Sequence, residues 1–165
     1  MRSAFFVVVA SIFGDSAFAA TPADHVTGTH YPAYGTDRDA GAFRVTLNIV
    51  VKGALDADNI GRADFSINVR FPDGKVVDRV CANEEYLFED GSMLFNPYDE
   101  PGNCTGEFVA AMNAKFRAMG ATTDVVSSPI SLAYTPDENS LTFNAIGGVN
   151  VEIPATTPVP KAAVL

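Results

Sequence analysis

The chain has 165 residues, with 20 acidic and 11 basic side chains, a net charge of −9, two cysteines and no tryptophan. Its length suits one domain with a sizeable core rather than two. The acidic balance is spread along the chain and argues against a nucleic-acid partner, because phosphate-backbone binding draws its free energy from clustered Lys and Arg.

The first segment reads as an export signal. Arg2 supplies the positive start, Ala4 to Phe13 form an apolar run of about ten residues, and Ala17-Phe18-Ala19 place small residues at the cleavage positions. A spanning helix needs roughly twice that apolar length. The expected organisation is a signal peptide over 1–19, an irregular leading arm over 20–41, a single α+β domain over 42–154 and a flexible Pro/Thr tail over 155–165. The expected localisation is secreted and extracellular, with no membrane span.

The leading arm is rich in Gly, Thr, Pro, Tyr and Asp without a sustained period. His25 and His30 lie in it as exposed histidines with no site around them, and Tyr31 and Tyr34 form a candidate contact patch. From Phe43 the chain alternates. Phe43, Val45, Leu47, Ile49 and Val51 point one way and Arg44, Thr46 and Asn48 the other, which predicts a half-buried strand. Phe65, Ile67, Val69 and Phe71 repeat the pattern, and Pro72-Asp73-Gly74-Lys75 is a turn that leads into a third strand, Val76 to Cys81. Tyr86–Phe88 and Met93–Phe95 predict a short hairpin.

The period then changes. Phe108, Met112, Phe116 and Met119 recur at four, four and three residues, which puts them on one face of an amphipathic helix capped by Thr105 and closed by Gly120. That face is a candidate apolar ligand surface, although core packing is the more ordinary use of such a stripe. Ile130 to Tyr134, Leu141 to Ala145 and Val149 to Ile153 alternate again, with a tight turn expected at Gly147-Gly148. The expected fold class is α+β: a mostly antiparallel sheet of about seven or eight strands with one helix packed on one face.

Cys81 and Cys104 are expected to form one disulfide, since export places them in an oxidising compartment and no metal or redox spacing surrounds them. Closing that loop stabilises the fold by roughly 3 kcal/mol on the chain-entropy model. Asn103-Cys104-Thr105 makes Asn103 a candidate N-glycosylation position. Asp56, Asp58, Gly61 and Asp64 imitate a calcium loop, but Ile60 and Ile67 occupy ligand positions, so a solvated turn is the better account. The acidic pairs Glu84-Glu85, Glu89-Asp90 and Asp99-Glu100 raise a glycosidase reading. No catalytic or cofactor motif accompanies them, so no catalytic residue, cofactor or metal is assigned.

The block Cys81-Ala82-Asn83-Glu84-Glu85-Tyr86, followed by a short hairpin, Asn103-Cys104, a helix and paired strands, resembles small secreted two-cysteine proteins of protist parasites. The resemblance implies secretion and the disulfide, and brings no activity. The expected function is a secreted, non-enzymatic binding or interaction module for an extracellular protein. The alternative is an extracellular carrier of a small apolar ligand held between helix and sheet, and the third class is a hydrolase with an acidic site.

Overall fold

Alternating apolar and polar residues give most of the strands one face for a core, and eight strands here close on themselves. The computed structural model describes residues 20–26, 30–100, 102–145 and 149–160. The expected signal peptide, the Gly147-Gly148 turn and the last five residues of the expected tail lie outside these. The strands are β1 (His30–Ala40), β2 (Phe43–Val51), β3 (Ile60–Arg70), β4 (Val76–Glu89), β5 (Ser92–Phe95), β6 (Ile130–Thr135), β7 (Ser140–Ala145) and β8 (Val149–Pro160), with helix α1 (Cys104–Ala118) between β5 and β6. Each strand pairs antiparallel with the next, as expected, and β8 returns to β1, so the sheet closes into an up-and-down barrel. Closure leaves the sheet without a first or a last strand.

The register follows the sequence periods. Val45, Leu47, Ile49 and Val51 face Val69, Ile67, Phe65 and Ala63 across the β2–β3 ladder, and all eight are buried. Arg44, Thr46 and Asn48 pair outward with Arg70, Asn68 and Ser66. An apolar interior and a polar exterior invert the polarity of a membrane barrel, whose outer band is apolar. No helix among the described residues is long and apolar enough to cross a membrane.

Three boundaries differ from expectation. Residues 30–40, expected within an irregular arm, form β1, because pairing with β2 and β8 supplies partners that its Gly- and Asp-rich composition hides. The expected flexible tail continues β8 as far as Pro160, paired with His30. The third strand and the first arm of the predicted hairpin are one 14-residue strand, β4, broken in register opposite Ala63–Phe65, where Asn83 takes positive φ and donates its N–H to Asp64.

One end of the barrel is covered by the 3₁₀ turn Pro22–His25, in which Pro22 and Ala23 are buried. His25 shares a 2.7 Å hydrogen bond with the Tyr134 hydroxyl, while the Tyr34 and Tyr134 hydroxyls both donate to Asn139 Oδ1. Tyr34, expected with Tyr31 in an exposed patch, is therefore an interior residue, 1% exposed. Its neighbour Tyr31 is half-buried beneath the Lys52 ammonium. Tyr86 is fully buried and packs directly on the backbone at Gly61, where an added Cβ would overlap its ring and hydroxyl and lie 2.7 Å from Cε1.

The packing at this end of the barrel sets two expected outcomes. Gly61→Ala should lower stability by about 2 kcal/mol, read from denaturant midpoints, because the Tyr86 ring has nowhere to retreat. Tyr34 and Tyr86 have pKa values pushed above the ordinary tyrosine range, in both cases chiefly by burial. The unfolded chain releases these protons near pH 10 and the folded barrel retains them. Their stabilising contribution is thus complete below about pH 10 and falls as pH rises above it. Denaturant midpoints measured from about pH 8 to about pH 11 should show that decline, and Tyr86→Phe should flatten it.

Candidate functional site: the helix-capped end of the barrel

At the opposite end the strands do not all reach the rim. β5 has only four residues, so its ladder with β4 covers Tyr86–Glu89 and leaves the longer part of β4, Val76–Glu85, without a strand on that side. Helix α1 packs against β4 in the vacant place. The β1–β8 ladder likewise ends at Tyr34–Ala155, while β1 continues with β2 as far as Ala40.

The helix is pinned at its first turn. Asn103, not Thr105, is the N-cap, and its side chain accepts from the N–H groups of Thr105 and Gly106. Thr105 is fully buried and donates both its N–H and its hydroxyl to Glu84. Cys104 is bonded to Cys81, as expected. The Asn103 acceptor position is therefore used as a helix cap, beside a disulfide and a buried threonine hydroxyl. Glu84, a candidate acid of a hydrolytic pair, serves that junction, and Glu85 forms an ion pair with Arg62 on the outer face.

Of the predicted helical stripe, Phe108, Met112 and Phe116 are buried, and Met119 is 49% exposed at the C-cap. The helix ends at Ala118, with Gly120 at φ +101° just beyond, and Met119 is carried out of the stripe. Phe116 stacks edge-on with Phe43 and tilts against Phe71, which makes it an anchor. Phe108 and Met112 do otherwise: they face a cavity of about 370 Å³ between helix and barrel wall.

The cavity floor is apolar. Val45, Ile67 and Val69 reach it from β2 and β3, and Ala40 and Phe43 from the β1–β2 corner. Its outer wall is the irregular segment 125–129 and the first residues of β6, with Phe143 and Asn144 closing the side at the end of β7. No sequence signal marks that wall, since Ala121 to Pro129 carries no period. Its position comes from helix residue Asn113, which is 6% exposed. The Asn113 Oδ1 accepts from the N–H groups of Val125 and Val126, and Nδ2 donates to the Val126 carbonyl. Arg117 pairs with Asp124, and Asn96 donates to the Ser128 hydroxyl. A segment without regular structure is held against the helix by side chains that satisfy its backbone.

A second hollow lies on the polar outer face among Lys52, Asp56, Arg62 and Glu85. The Asp56 region is a turn in which the Asp56 carboxylate accepts from the N–H groups of Asp58 and Ile60. Cys81, Glu84 and Cys104 are the one group of potential metal ligands among the described residues, and the two sulfurs are consumed by the disulfide.

The chain matches no protein-family model, no curated protein and no solved structure.

Replacing Asn113 by Ala should strand the N–H groups of Val125 and Val126 and cost about 2 kcal/mol. Hydrogen exchange at 124–127 should accelerate more than exchange in β2 and β3, which separates release of the wall from general loosening.

Proposed function

We propose that this protein is an extracellular, non-enzymatic carrier of a small apolar ligand, held between α1 and the barrel wall. The observation that carries the reading is the cavity itself: about 370 Å³, lined by Phe108 and Met112 of the predicted stripe and by core side chains of β2 and β3. Small-molecule sites are concave, mainly apolar and commonly begin near 300 Å³. Eight-stranded barrels are wide enough to fill with side chains or to hold one small ligand. Here both happen, with tyrosines and phenylalanines filling one end and the cavity occupying the other.

The two competing readings find less support. An interaction module would use an exposed aromatic patch, and Tyr34 of the expected patch is interior. A hydrolase would gather carboxylates in a cleft; no described residue lining the cavity is acidic, and in the outer hollow Asp56 caps its own turn while Glu85 pairs with Arg62. The disulfide suits a chain that works outside the cell.

A neutral apolar fluorophore, N-phenyl-1-naphthylamine, should bind the purified protein with enhanced emission. Val126→Trp, which fills the cavity from the outer wall without altering a strand, should weaken that binding by at least about tenfold. Its unfolding midpoint should stay close to wild type. Absence of probe binding to the wild-type protein would remove the carrier reading.

A further inference from the structure

We propose that the ligand is a single-tailed, uncharged amphiphile that binds tail-first, its hydrogen-bonding head resting at a rim formed by Ser127, Ser131 and Asn144. The proposal rests on the carrier reading and adds the chemical class and direction of its ligand.

The cavity is divided by polarity. Its floor is formed by residues almost wholly removed from solvent, with Val45, Ile67 and Val69 each 3% exposed and Phe108 and Met112 each 2%. None of those side chains offers a strong hydrogen bond, so a polar group driven to the floor would lose its water without replacement. Every polar side chain among the described residues lining the cavity (Ser127, Ser131 and Asn144) is solvent-exposed at the rim. An occupant with one polar end can satisfy both regions in one orientation only. Its chain lies along Met112, Val69 and Ile67, and its hydroxyl or carbonyl meets the rim.

The rim also selects charge. Its three polar side chains are neutral amides and hydroxyls, and no cationic residue among those described lines the cavity. Three basic side chains on or beside the helix are engaged by carboxylates: Arg117 by Asp124, Lys115 by Asp73 and Arg79 by Glu107. The chain as a whole carries −9. An anionic head would meet a repulsive field with no countercharge to offset its partial loss of water. A neutral head meets donors and acceptors of the right kind.

The test is displacement of N-phenyl-1-naphthylamine from the wild-type protein by 1-decanol and by decanoate at about pH 8. Decanol should compete at least about tenfold better. Asn144→Lys and Ser131→Lys place a cation at the rim on exposed positions, and should strengthen decanoate relative to decanol by about tenfold. Decanoate equal to decanol on the wild-type protein would overturn the charge selection. Lysine variants that leave decanoate unchanged relative to decanol would overturn the placement of the head. Displacement by neither compound from a protein that does bind the probe would overturn the amphiphile class while the carrier stands. A protein that binds no probe at all would remove both.

Discussion

The brevity of β5 is the constraint on which the rest of this structure depends. A strand of four residues cannot cover a neighbour of fourteen, so most of β4 has no β5 beside it, and the interior opens there. An apolar interior left open to water is costly. The chain meets that cost by laying α1 over the gap and fixing its first turn three times over: through the Cys81–Cys104 bond, the Glu84–Thr105 hydrogen bonds and the Asn103 cap. A helix is thicker and less exact a filler than a strand. The space it fails to fill is the cavity.

The two ends of the barrel consequently differ in kind. At one end Tyr34, Tyr134, Asn139 and His25 make a polar network sealed by a 3₁₀ turn, and Gly61 gives way to the Tyr86 ring. At the other, the wall is an irregular segment held by the side chains of Asn113, Arg117 and Asn96. Dense packing leaves no room for an occupant, and a wall held by a few side-chain hydrogen bonds can admit one. The division of labour between a stable end and an adaptable end is typical of binding sites carried on rigid scaffolds.

Strands with strict alternation are legible in the amino-acid order alone. The inward residues of β2 and β3 are those their period identifies, and the spacing of Phe108, Met112 and Phe116 marks the buried face of the helix. The disulfide is legible too, from two cysteines and no competing metal or redox spacing. Closure is not. Whether eight antiparallel strands remain an open sheet or return to the first depends on β1, whose Tyr-, Gly- and Asp-rich sequence resembles a loop until β2 and β8 are placed on either side of it. Tyr34 shows the same limit, since its burial comes from Ile49 opposite and Asn139 below, neither of which is near it in the chain.

The amino-acid sequence by itself determined which residues face the core, where the helix lies and which cysteines join, because those properties follow from local period, turn chemistry and cysteine count. Tertiary structure alone decided that the sheet closes, that Asn113 holds residues 124–126 as a wall, and that Phe108 and Met112 border space while Phe116 borders other rings. These outcomes depend on strand lengths compared across the fold and on contacts between distant residues. A linear pattern records each strand's own length, and the gap it leaves in its neighbour exists only once both are assembled.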